Sequence, residues 1–418
     1  MRHVLHESGF VVALARNRAR GYVGALPGMR VGRMPPRRGA IAGFRTEICI
    51  TTRFNMKRRT LVFGAIAWIV VMSVTISAAP AVAQEPEAEQ GSWRVLPLPH
   101  VDLWYHGLAV TGFDGSGPDP LYDPSYRARV RQVKESLGVY PSALDRGSPG
   151  FAAAFQADSA FELLHFVPLY FASAGPDRML AALTQVAETG NATVDDPAAQ
   201  FGAGIVAQLL PEERQLDVLL EFTRALSDEW TTWFEDVWTR SVMDRRVDLA
   251  ALQSVWDQRF SGPLRPYLER HQLDQGALIV SPQVGLEGRV FSGSPADRTD
   301  NLVVVHLPPP GDRLEATLHY AVRELCFPSA RLAMEAAGPM PMDRLAAAAR
   351  STRAAVRCGD LLLEHVAPDE APAYRRSFVP ATAAASDEAT REAFYRAYPL
   401  DAGLEASLRA EIRSIDTN

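Results

Sequence analysis

The chain has 418 residues, 47% hydrophobic and 22% charged, with a formal net charge of −6 and three cysteines. Its charge is uneven: residues 1–83 hold 13 basic and 2 acidic side chains, which leaves residues 84–418 with 30 basic and 47 acidic, a net of −17. An acidic surface of that size repels phosphate backbones and anionic lipid, so nucleic acid and membrane surfaces are poor partners for residues 84–418.

Residues 56–83 read as an export signal. Met56-Lys57-Arg58-Arg59 is a basic start, Leu61–Ile76 is an uncharged run, and Ala81-Val82-Ala83 supplies the small-x-small pattern that signal peptidase requires. The apolar run is short for a membrane span. Cleavage is expected after Ala83, giving a periplasmic or secreted protein with no membrane span in the mature chain. Residues 1–55, with ten arginines against Glu7 and Glu47, precede a complete signal; the reading is an over-extended translation start, with Met56 the true one. Of the cysteines, Cys326 and Cys358 lie in the mature chain. An exported even pair reads as a disulfide, worth about 3–4 kcal/mol for the loop it closes. Two free thiols, or a thiolate nucleophile, form the alternative.

Trp93–Pro99 is the first apolar segment of the mature chain. Val101–Val110 fits a strand or a helix. As a strand it places His100, Asp102, Trp104 and His106 on one face with the histidines about 20 Å apart; as a helix it makes Asp102 and His106 neighbours at i, i+4. The Gly/Pro/Asp stretch Thr111–Pro124 has neither a dinucleotide fingerprint nor a calcium-loop spacing and reads as a turn. Helices are expected at Tyr126–Leu137, ending at Gly138; at Ser159–Ala172, broken or kinked at Pro168; and at Pro176–Thr189, Ala198–Leu210 and Pro211–Leu226. Trp230, Trp233 and Trp238 form a partial helical stripe, with Trp256 in the next helix; such stripes are usually core, with a sugar or peptide platform as the alternative. The helix Asp248–Gln272 is interrupted at Gly262-Pro263 and Pro266.

After Gly276 the period shortens. Ala277–Ser281, Gly288–Phe291 and Leu302–Leu307 read as strands, followed by helices at Asp343–Val366, Asp387–Tyr398 and Ala402–Ser414. The expected fold is α+β and predominantly helical, with a helical region over 84–275 and a mixed region over 276–418 that packs with it as one unit.

Residues 301–367 carry the chemistry. A strand is followed by the turn Pro308-Pro309-Pro310-Gly311-Asp312, then by a helix with Arg323-Glu324-Leu325-Cys326-Phe327 and another with Leu363-Glu364-His365-Val366-Ala367. This order resembles the core of gluzincin metallopeptidases, zincin-like enzymes in which two histidines of an H-E-x-x-H helix and a later glutamate hold zinc. Glu324 stands at the position of the catalytic glutamate and Glu364 at that of the third ligand, but Arg323 and Phe327 replace the histidines and cannot ligate a metal. The resemblance implies a zincin-like strand–helix–helix core that has lost its site. It also implies Arg323 paired with Glu364, an edge strand at Leu302–Leu307, and a Cys326–Cys358 bridge between neighbouring helices.

Three functions follow as expectations. The first is a degenerate, non-catalytic metallopeptidase relative, without metal or other cofactor, that binds peptide or an envelope protein by strand addition at Leu302–Leu307, with Arg323, Glu364, His365 and His319 as binding residues. The second is a metal-dependent hydrolase in which zinc is held by a non-standard set around Glu315, His319, Glu364 and His365, with His306 in reach. The third is a structural envelope protein whose tryptophan-rich helices contact a partner. No G-x-S-x-G elbow, P-loop or C-x-x-C pair is present.

Overall fold

Val303, Val304 and Val305 follow one another without a polar gap, a pattern that calls for an apolar layer on each face of a sheet. The structure is a computed structural model that describes residues 93–114, 120–171, 173–293, 301–338, 341, 343–383 and 386–417. Among them the chain is an α+β protein, predominantly helical, built on a four-stranded sheet in the order β1-β2-β4-β3. β1 (Trp93–Leu96), β2 (Gly276–Ser281) and β4 (Leu302–His306) are parallel, while β3 (Arg289–Phe291) pairs antiparallel with β4.

The sheet separates two cores, and strand alternation assigns residues to each. Ile279 and Val304 join a core with the helices of residues 99–234; Leu278, Val280, Val303 and Val305 join a second one with the helices of residues 246–270 and 315–413. At about 25 cal/mol per Å² of apolar surface, double-sided burial makes these valines and leucines strongly stabilising.

Val101–Val110 is helical, within Pro99–Thr111. Pro99 sits at its start, where a missing N–H costs nothing, and Gly112 ends it in the left-handed region at φ 73°. Residues 100–111 are buried on every side, so this helix is the axis of the first core. Tyr126–Leu137 ends at Gly138 as expected. Helices at Gly175–Thr189, Pro197–Leu209 and Glu213–Glu229 follow.

Two elements differ from expectation. Ser159–Phe171 is a 3-10 segment rather than an α-helix. Its carbonyls find other partners: the Trp104 indole donates to the Leu164 carbonyl at 2.7 Å and the Tyr105 hydroxyl to that of His165 at 2.9 Å. Pro168 meanwhile supplies no N–H. Ala143–Ala157 is a helix that the pattern did not suggest, because Gly147, Pro149 and Gly150 interrupt it; a capping box between Ser142 and Asp145 starts it.

The expected interruption at Gly262-Pro263 is absorbed differently. The helix Arg246–Val255 runs into π turns at Trp256–Ser261 and then into Gly262–Arg270.

Leu302–Leu307 is not an edge. β4 bonds to β2 on one side and β3 on the other, so strand addition there is closed. The sheet edge at β1 is also occupied: the Gln253 side chain accepts from Val95 N–H at 2.7 Å and donates to the Trp93 carbonyl at 3.1 Å, taking the place of a strand. At the opposite edge β3 lies against the 3-10 segment, where Phe291 meets Tyr170 edge-on.

Candidate functional site

The stretch Arg323–Phe327 does not lie on one helix. A helix over Glu315–Leu325 ends at Cys326 and a new one over Phe327–Ala337 begins, with Pro328 in its first turn. Positions 323 and 327 therefore lack the shared face that paired ligands at i, i+4 need.

Arg323 and Glu324 are both buried and bonded to each other, with Arg323 Nε donating to Glu324 Oε1 at 2.8 Å. Gly288 N–H donates to the same oxygen at 3.2 Å. A Cβ on Gly288 would lie 2.5 Å from the Val304 carbonyl oxygen and 2.8 Å from Glu324 Cγ, so glycine is what lets the carboxylate approach the sheet. Burial raises the Glu324 pKa, opposed by the Arg323 charge.

The expected Arg323–Glu364 pair is not formed. Glu364 bonds to Arg375, which also donates to Asp360 at 2.6 Å. The nearest cation takes each carboxylate, and for Glu324 that is its neighbour in sequence.

The other expected site residues are dispersed. His319 Nδ1 pairs with Ser377 Oγ at 2.7 Å, and burial, with the Arg259 and Arg376 charges, lowers its pKa to about 4. His365 pairs with Asp416 at 3.1 Å, and Glu315 lies 3.7 Å from Arg259. Among the described residues no group of three or more His, Cys, Asp or Glu converges as a metal site.

Cys326 and Cys358 are buried free thiols, not the expected disulfide. Their side chains are hydrogen-bonded, and burial, then that contact, pushes the Cys358 thiol well above its usual range. Such a thiol is a poor nucleophile. Trp230, Trp233 and Trp256 are core residues, so the stripe is not a surface platform. Trp238 is half-buried and donates to Asp102 Oδ2 at 2.7 Å.

Asp102 and His106, neighbours on their helix, do not pair with one another. His106 belongs to a buried chain that the sequence did not announce. Ser281 Oγ donates to Gln283 Oε1 at 2.6 Å, and Gln283 Nε2 donates to the Tyr126 hydroxyl at 3.2 Å. That hydroxyl pairs with His106 Nδ1 at 3.0 Å, and His106 Nε2 with Glu229 at 3.2 Å. Burial keeps His106 neutral by lowering its pKa, against the pull of Glu229. The neutral ring thus donates from Nε2 and accepts at Nδ1. Glu229 also accepts from Trp233 Nε1 at 2.6 Å, from Ser142 Oγ and from Lys134 Nζ at 2.8 Å.

This chain anchors one wall of an open cleft of about 590 Å³. Its floor is the carboxyl ends of β2 and β4 (Pro282 and His306) with the turn Leu307–Pro310, the end of a parallel sheet where ligands commonly bind. One wall is a face of the Tyr126–Leu137 helix: Arg129, Val133, Ser136 and Leu137. The other is a face of the Glu235–Asp244 helix, Val237, Arg240, Ser241 and Asp244, extended by Arg245.

No known protein family, curated protein or solved structure matches this chain. The cleft must therefore be read from its own chemistry. Its lining holds three arginines against one aspartate, whereas residues 84–418 carry a net charge of −17. Arg245 is 8% exposed; its Nε donates to Asp248 at 2.6 Å, while its Nη2 is buried without a hydrogen-bond partner among the described residues. A buried guanidinium nitrogen without a partner is costly, so Arg245 is the cleft-lining cation with donor capacity left over. The sequence signal was present but silent: positions 129, 133, 136 and 137 share a helical face, as do 237, 240, 241 and 244.

Proposed function

We propose that the protein binds a small organic anion in the cleft at the carboxyl ends of β2 and β4. The observation that carries this reading is Arg245, nearly enclosed in the wall with one nitrogen unsatisfied. A planar fork of donors suits a carboxylate or phosphate oxygen. The volume falls within the range of small-molecule sites. Calorimetric titration with hexanoate and with inorganic phosphate is expected to give saturable binding of at least one, weakened about tenfold or more by Arg245→Gln. Arg131→Gln is the control, since Arg131 is exposed and pairs with Glu135 outside the cleft. Equal affinities for wild type and R245Q would remove the cleft from consideration.

A second reading keeps the gluzincin resemblance: a non-catalytic relative that binds peptide or an envelope protein. Its support is the placement of the Glu324 helix against β4, with the carboxylate reaching Gly288 beside the antiparallel strand β3. Because β4 is internal, a peptide would have to dock on side chains rather than by strand addition. An extended-peptide array that captures nothing counts against it.

We also propose that the protein is exported. The signal at 56–83 lies outside the described residues, and its basic start, apolar run and Ala81-Val82-Ala83 are the support. The expected first residue of the protein recovered outside the cytoplasm, by N-terminal sequencing, is Gln84; retention of Met56 would refute cleavage at this site.

A further inference from the structure

The cleft reading supplies a charge, and the residue at the end of β4 narrows the ligand further. We propose that the ligand is a hydroxylated organic anion whose hydroxyl donates to Nε2 of His306 while its acidic group meets Arg245. This inference rests on the anion-cleft reading and deepens it.

The argument begins with the tautomer. His306 Nδ1 lies 2.5 Å from the Val284 carbonyl oxygen. A carbonyl only accepts, so Nδ1 carries the hydrogen and Nε2 is left with the lone pair. Burial, opposed by that carbonyl, lowers the pKa of the ring and favours this neutral form. The imidazole is therefore an acceptor, and a carboxylate placed against it would meet a lone pair. The anionic group is directed instead to the lining arginines, Arg240 and Arg245 among them.

His306 is also well fixed. Its backbone carbonyl accepts from Thr317 Oγ1 at 3.0 Å, and it pairs in register with Ser281 at the end of the β2–β4 ladder. An acceptor held on a strand end selects by geometry. The lining also offers apolar side chains, Leu307, Pro309, Val133 and Val237, beside the hydroxyls of Ser136 and Ser241. The complementary ligand has an acid at one end, hydrocarbon between, and a hydroxyl donor toward the sheet.

The test is a matched pair, 3-hydroxyhexanoate against hexanoate, titrated calorimetrically into the full mature chain. Wild type is expected to prefer the hydroxy acid about tenfold, the effect of one hydrogen bond. His306→Asn keeps an amide to meet the Val284 carbonyl but places no acceptor at Nε2, so it should bind both acids with the affinity of the plain one. Circular dichroism and a second variant, His306→Gln, separate this from misfolding, because the glutamine amide reaches the Nε2 position and should restore part of the preference. Equal binding of both acids by wild type, with both weakened by R245Q, overturns the hydroxyl assignment and leaves the cleft reading standing. Preference that survives in H306N overturns the role of His306. Binding of neither acid overturns this inference, and if phosphate also fails to bind the cleft reading falls with it.

Discussion

Replacing Lys134 by methionine is expected to destabilise the fold by about 3–5 kcal/mol, the range found when one partner of a buried ion pair is removed. The Lys134 side chain is fully enclosed, and its ammonium spends its donors on Glu229 at 2.8 Å, Asp145 at 2.9 Å and Ser142 at 3.1 Å. Without it, Glu229 stays buried as an acceptor for His106, Trp233 and Ser142 but loses its cation. Burial alone would raise the Glu229 pKa; the hydrogen bond from His106 and the charge of Lys134 outweigh it and hold the carboxyl at about 2. A depressed carboxylate contributes stability above its unfolded pKa near 4.5, lost as pH falls toward about 2. Urea unfolding of K134M at pH 7 measures the cost, and a loss below about 1 kcal/mol would mean the network is not cooperative. The double variant K134M/E229Q should recover part of it, since the stranded charge is then gone.

Asp102→Asn is expected to act in the opposite direction, increasingly as pH rises above about 4. Asp102 is fully buried, and burial, opposed by the hydrogen bond from the Trp238 indole, raises its pKa to about 7. Here the folded state holds the proton more tightly than the unfolded one. The sign follows: no cost below the unfolded pKa near 3.8, a cost that grows as pH rises, and a full value above about 7. Ionising a carboxyl moved that far from its ordinary range costs about 4 kcal/mol at the upper limit. Asparagine can still accept from the Trp238 indole without carrying a charge. Thermal unfolding of D102N should match wild type at pH 4 and exceed it by several degrees at pH 8. Parallel curves across that range would show that Asp102 stays ionised in the folded protein.

Both variants bear on the cleft. Lys134 lies on the helix that supplies Arg129, Val133 and Ser136, and the bond from Gln283 to Tyr126 fixes that helix to the residue after Pro282. Trp238, bonded to Asp102, neighbours Val237 on the other wall. The buried network thus sets the spacing between walls and floor, and weakening it is expected to loosen the site as well as the fold.

What the sequence determined by itself is local. The stop of one helix at Gly138, the start of another at Asp343, and strands at 277–281 and 302–307 were legible because glycine, a capping carboxylate and a β-branched run each act within a few residues. The tertiary structure decided the rest. The apolar run at 302–305 announced cover on both faces, but pairing on both edges depends on β2 and β3, which no residue of β4 encodes. Arg323 found its partner beside it, while Glu364 was taken by Arg375 from the next helix, because buried charge pairs with whatever opposite charge the packing brings nearest. The cleft draws on residues 129–137, 237–245, 282 and 306–310, segments distant in the chain. A concave site arises where elements fail to fill space between them, and that is a property of their packing, not of any one of them.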